Sequence, residues 1–208
     1  MGLTRLPGIV VFTVVETVTL GAWLALVSGV PVDSPLAVVG VIVLFVGLTV
    51  EGILTDVTFN GLSLDLPFLG ILGFSLAETV IWVVWLGVAD RVGGLAGILG
   101  AGVLLAVLFV PQHSIEDNVL GRRDALSNLL LGGTVGFSIV EAVGATVWLA
   151  LVRRGGRVLD ALGVDLPALG GSTLVEPAAL VGLLALLVVL LVEHLIASGF
   201  NRRMQRLA

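Results

Sequence analysis

The chain has 208 residues, of which 58% are hydrophobic and 12% charged, with a formal net charge of −5. The charged share is about half that of an average soluble domain. The apolar residues fall into blocks of about 20, the length that crosses ~30 Å of hydrocarbon. Cysteine and lysine are absent, so disulfides, thiolate metal sites, thiol nucleophiles and lysine Schiff bases are excluded. An acidic balance argues against nucleic acid as a partner. Together these features describe an all-α, polytopic membrane protein whose first partner is the lipid bilayer.

The apolar blocks predict six transmembrane helices at 6–29, 35–57, 66–89, 95–117, 128–152 and 173–199. The first block is too long for a signal peptide, has Arg5 as its one basic flank and contains Glu16, so it reads as a retained helix. Short polar or Pro/Gly segments separate the helices: Pro31 to Pro35, Asn60 to Asp65, Ala89-Asp90-Arg91, Gly121 to Asp124, and the longer stretch 153–172. With the N-terminus inside, the inner segments hold Arg5, Arg122, Arg123, Arg202, Arg203 and Arg206, and the outer ones hold Arg91, Arg153, Arg154 and Arg157. That excess places both termini in the cytoplasm of a multi-pass cell-membrane protein. Gly93-x3-Gly97 and Gly132-x3-Gly136 have the small-residue spacing that lets helix backbones approach, and they read as packing within one bundle.

The odd-numbered helices share a pattern, Phe-[Ser/Thr]-x-x-Glu-[Thr/Ala]-Val-x-x-x-x-Trp-Leu. The copies carry Phe12, Thr13, Glu16 and Trp23; Phe74, Ser75, Glu78 and Trp85; and Phe137, Ser138, Glu141 and Trp148. Glu16 and Glu78 are 62 residues apart, and Glu78 and Glu141 are 63 apart. The chain therefore reads as one transmembrane domain, 1–208, made of three tandem two-helix hairpins of about 1–61, 62–123 and 124–208. Such repeats predict pseudo-threefold symmetry about the membrane normal. Phe, Glu and Trp at i, i+4 and i+11 share one helix face. Each Glu sits near the bilayer midplane, where a carboxylate costs roughly 2.5–3.5 kcal/mol on insertion scales and marks a functional site by default.

The even-numbered helices become polar toward their C-terminal ends and supply a second layer. It holds Glu51 with Asp56; Gln112, His113, Glu116 and Asp117; and Glu193 with His194. Counting 35 residues from the preceding Glu gives Glu51 in the first repeat and His113 in the second, and Glu193-His194 occupies the equivalent place in the third. Pro111 precedes the polar run of the fourth helix and predicts a kink or a freed carbonyl there. Glu116 and Asp117 read as a solvated helix end, and Arg122, Arg123, Arg202 and Arg203 as topology anchors. The three repeat tryptophans fit an interfacial belt as well as they fit a site lining.

Intramembrane carboxylates and histidines arranged in depth suit a route for a small cation, whether a proton or a divalent metal. In this reading Glu16, Glu78 and Glu141 form the central binding site, and Glu51, His113, Glu193 and His194 form its inner mouth. The outer half offers no polar relay. The same set, five glutamates and two histidines, also matches the ligand types of di-iron and di-manganese carboxylate bundles. It could hold Fe, Mn or Zn in a membrane-embedded oxidoreductase, although the Glu-x-x-His spacing of soluble di-iron bundles is absent. A b-type haem held by His113 and His194 is the least favoured cofactor, because it leaves the three repeat glutamates unexplained. The bland alternative is interhelical glue, with protonated glutamates hydrogen-bonded to Thr13, Ser75 and Ser138.

Overall fold

The computed structural model describes residues 5–62, 65–126, 134–161 and 177–205, and side chains within 5–62, 65–126, 134–157 and 178–198. Among the described residues six α-helices follow one another: α1 (Leu6–Val27), α2 (Pro35–Asn60), α3 (Phe68–Val92), α4 (Gly94–Leu120), α5 (Thr134–Ala161) and α6 (Pro177–Gln205). All six contain a stretch long and apolar enough to cross a membrane, which makes this a multi-pass membrane protein. The expected beginnings of the fifth and sixth helices at 128 and 173, Gly132, and most of the 153–172 stretch lie outside the described residues.

The helix boundaries follow local chemistry. Pro7 stands in the first turn of α1, where its missing N–H costs nothing. The Ser34 hydroxyl accepts from Ala37 N–H at 3.1 Å while Pro35 fills the first helical position, so α2 begins with a side-chain cap. α3 and α4 meet at Gly93 and Gly94, with φ of 68° and 61°, a left-handed pair that a side chain would strain. α4 continues through Pro111, which lies on its exposed face. α5 runs past its expected end at 152, changing direction at Arg154, whose φ and ψ are −139° and 15°.

Each helix packs on its neighbours in the chain, and α6 packs back on α1. The outward faces are valine, leucine and isoleucine; Val18, Val80 and Val143, two residues after each repeat glutamate, are all more than half exposed. Polar side chains turn inward instead, as lipid demands. Glycines allow the closest approaches: a Cβ on Gly47 would lie 2.2 Å from Thr19, and one on Gly102 would lie 2.2 Å from Thr146. Gly97 faces the Ala89 carbonyl within the α3–α4 pair, as packing predicts, whereas Gly136 meets no neighbouring atom within 4 Å of where its Cβ would be.

The core has an apolar stripe from each even helix: Leu44 and Leu48 of α2, Ala101, Leu105 and Phe109 of α4, and Leu186 and Leu190 of α6. These positions recur every four residues and so face one side of their helices. Between them lie the tryptophans of the odd helices. Trp23 and Trp82 have ring centroids 6.4 Å apart, Trp82 and Trp85 5.2 Å, and Trp85 and Trp148 6.3 Å. All four are fully buried, so they form an interior aromatic layer rather than a belt at the membrane surface.

Candidate functional site

Seven residues before each repeat tryptophan, roughly 10 Å along the helix, the three repeat glutamates converge. Ligand-capable oxygens of Glu16, Glu78 and Glu141, from α1, α3 and α5, lie within 4.8 Å of one another. All three side chains are buried. Glu16 and Glu78 have ten residues of helix before them, nearly three turns, and buried carboxylates at this depth must be neutralised or paired in place.

The histidines supply that pairing in two matched arrangements. His113 Nε2 lies 2.9 Å from Glu141 Oε2, and His113 Nδ1 lies 3.0 Å from Ser138 Oγ. His194 Nε2 lies 3.7 Å from Glu16 Oε2 and 3.2 Å from Glu193 Oε2, and its Nδ1 lies 2.9 Å from Thr13 Oγ1. Both hydroxyls donate their single proton to a helix carbonyl four residues back, Ser138 to Thr134 at 2.7 Å and Thr13 to Ile9 at 2.8 Å. Each hydroxyl oxygen therefore accepts from the imidazole Nδ1–H. Nδ1–H of each ring is thus satisfied, and Nε2 faces the carboxylates, where an imidazolium donates to them and a neutral ring offers its lone pair.

The pairing runs from two of the even helices to the odd helix packed beside each. His113 of α4 serves Glu141 of α5, and His194 of α6 serves Glu16 of α1. Gln112, one residue before His113, turns the other way and donates to Glu78 Oε2 of α3 and to Glu116 Oε2, both at 3.4 Å. Adjacent residues point about 100° apart on a helix, so Gln112-His113 lets α4 address both α3 and α5.

The core positions also correct the expected register. Glu51, Gln112 and Glu193 each stand three residues after the last buried core residue of their helix, namely Leu48, Phe109 and Leu190. Glu51 thus corresponds to Gln112 and Glu193 rather than to His113, and the histidines correspond to Gly52. A Cβ on Gly52 would lie 2.8 Å from the Phe74 ring, which occupies the space. On α1 the matching Phe12 packs edge-on against His194 at 4.8 Å. With no imidazole on α2, the hydroxyl of Ser75 is buried without a hydrogen-bond partner.

Glu16, Glu51, Glu78, His113, Glu116, Glu141 and His194 line a cavity of about 20 Å³. That volume admits one water-sized guest. Within it Glu51 accepts from Thr55 at 2.5 Å, Glu78 Oε1 accepts from Trp82 Nε1–H at 3.2 Å, and Glu16 Oε2 has no hydrogen-bond partner. The structure thus gathers all seven residues singled out in the sequence, with Glu193 behind His194. Three further residues were not among those seven, although Gln112 and Glu116 belong to the second polar layer. Glu116 enters the cavity instead of capping a solvated end. Gln112 bridges two carboxylates. Trp82, four residues after Glu78 and therefore on its face, was legible only as an extra indole in the third helix. Asp56, by contrast, leaves the cluster and pairs with Arg122 at 3.1 Å, so Arg122 ties α4 to α2 as well as marking topology.

Beyond the tryptophan layer, where α1, α3 and α5 end, a second cavity of about 330 Å³ is lined by Ser28, Gly29, Leu86, Asp90, Val152 and Arg153. Arg153 and Asp90 form an ion pair at its rim. The interior thus has a polar centre, an aromatic layer and a far vestibule in sequence. No protein-family profile, curated protein or solved structure matches this chain.

Proposed function

We propose that this protein binds a small cation, a proton or a divalent metal, at the Glu16, Glu78 and Glu141 centre and conducts it through the helical bundle. The observation that carries this reading is the convergence of three buried carboxylates from three different helices within 4.8 Å. Three like charges at that separation repel strongly at low dielectric, and a cation or shared protons relieve the repulsion. Among the described residues no arginine lines the cavity to do so.

In this reading the chain is three tandem hairpins in pseudo-threefold arrangement, with both termini in the cytoplasm and the bundle in the cell membrane. The excess of arginine on the terminal side and the repeated Phe/Glu/Trp pattern support that placement. Glu51, His113, Glu116, Glu193 and His194 form the mouth toward the cytoplasm. The tryptophan layer closes the route to the vestibule beside Asp90 and Arg153. A membrane oxidoreductase draws no support from a cavity of about 20 Å³, which has no room for a lipid or quinone, and a haem between the histidines would need far more space.

Flux in liposomes tests the proposal. The purified chain is reconstituted with a pH-sensitive or metal-sensitive dye inside and challenged with a proton or divalent-metal gradient. Flux is expected from the wild type and its loss from Glu16→Gln. Equal flux from empty liposomes, wild type and Glu16→Gln would overturn it.

A further inference from the structure

The cation reading leaves the ion open, and the histidine geometry narrows it. We propose that the guest is a single first-row transition-metal divalent cation of the manganese, iron and zinc class. It is held by the carboxylates of Glu16, Glu78 and Glu141 and by Nε2 of His113 and His194, with Ser138 and Thr13 as positioning residues. This inference rests on the cation-binding reading above.

Three observations converge on it. First, Nδ1–H of both imidazoles is taken by hydroxyls whose own protons are committed to the helix backbone, which aims Nε2 at the carboxylates, where a cation can replace its proton. Ligating histidines are oriented in this way: the second nitrogen donates to a fixed acceptor and the first is left to the metal. Second, Glu16 is 5% exposed and its Oε2 has no hydrogen-bond partner, although it lines the cavity. A buried carboxylate oxygen without a partner is expensive unless something occupies the space it faces. Third, the carboxylates converge. Ligand-capable oxygens of Glu16, Glu78 and Glu141 lie within 4.8 Å of one another, and metal–ligand bonds of about 2.0–2.2 Å let one ion reach atoms up to about 4.4 Å apart. His113 Nε2 stands 2.9 Å from Glu141, and His194 Nε2 stands 3.7 Å from Glu16 and 3.2 Å from Glu193.

The donor set then selects the ion. Two imidazole nitrogens among three carboxylates suit manganese, iron or zinc, whereas magnesium and calcium prefer oxygen alone. A cavity of about 20 Å³ admits the ion without its hydration shell, so the ligands must replace that shell.

The third hydroxyl of the set supplies the control. Ser75 occupies the position of Thr13 and Ser138, but its hydroxyl is buried without a hydrogen-bond partner and so holds no imidazole. The full chain in detergent, stripped with chelator, is titrated with zinc or manganese chloride and separately with magnesium and calcium chloride. One equivalent of zinc or manganese is expected to bind, more than about tenfold tighter than magnesium or calcium. Ser138→Ala and Thr13→Val are expected to weaken it about 10–100-fold. Thr13→Ser, which keeps the hydroxyl, retains the affinity, and so does Ser75→Ala, which also reports on folding. Absent zinc and manganese binding, equal binding of magnesium, or a Ser75→Ala loss as large as that of Ser138→Ala would overturn the assignment. Proton flux measured in chelator-treated liposomes separates the two levels: if it persists while the metals fail to bind, the transition metal is wrong and the cation route stands. If flux is also absent, both fall.

Discussion

The two halves of the interior are built on opposite plans. On the side where α1, α3 and α5 begin, carboxylates, imidazoles and hydroxyls answer one another across helix boundaries, around a cavity of about 20 Å³. On the side where they end, Trp23, Trp82, Trp85 and Trp148 pack edge to face or stacked, and only beyond them does a cavity of about 330 Å³ open. The same helices make both halves, with seven residues between each glutamate and its tryptophan. The difference shows how one helix face can carry a polar site and its seal in succession, because two turns of helix are enough to move from one environment to the other.

The comparison breaks most severely at the carboxylates. Glu78 is held by Trp82 and Gln112, so Glu78→Gln keeps the shape and removes the charge. Cation binding is expected to fall by at least about 100-fold, since even the outer partners of metal ligands are worth 10–100-fold. Equilibrium binding beside the wild type measures it. Next comes the seal. Trp85→Ala removes a fully enclosed indole and is expected to cost about 3–5 kcal/mol of stability, read as a lowered midpoint in thermal unfolding. If the layer is the closed part of the route, the same variant also leaks cations in liposomes.

The two ion pairs at the ends sharpen the contrast. Asp56 is 1% exposed and paired with Arg122, and Arg122 sits at a φ of 56° while donating also to the Asp65 carbonyl. Arg122→Ala strands a buried carboxylate and is expected to cost about 3 kcal/mol. Arg153 and Asp90, at the other mouth, are exposed. Arg153→Ala should cost less than about 1 kcal/mol, as compared by the same thermal unfolding.

Much of this was legible in the sequence, for physical reasons. Blocks of about 20 apolar residues place six spans because lipid penalises anything else. The inward face followed from Glu and Trp at helical spacing, with Val18, Val80 and Val143 turned to lipid. Helix ends were less legible: α2 continues to Asn60 and α4 to Leu120 because Asp56, Asn60 and Arg122 satisfy one another there. The pairing of His194 with Glu16, from opposite ends of the chain, depends on α6 packing against α1, which no local pattern encodes. The one-residue offset between Glu51 and the histidines was hidden for a similar reason. Spacing along the chain does not say which side of a helix meets the core, and the buried positions of Leu48, Phe109 and Leu190 do. Glu116 looked like a solvated helix end because polar residues near a C-terminus usually are.

A cation-induced infrared difference spectrum of the chain in lipid nanodiscs, recorded for the wild type beside Glu78→Gln, tests the central claim most directly. The account predicts carboxyl-stretch changes in the wild type on adding zinc chloride or on a pH step, with at least one of those bands missing from Glu78→Gln. Identical spectra from the two proteins would mean that the carboxylate centre takes up no cation, and would contradict the account.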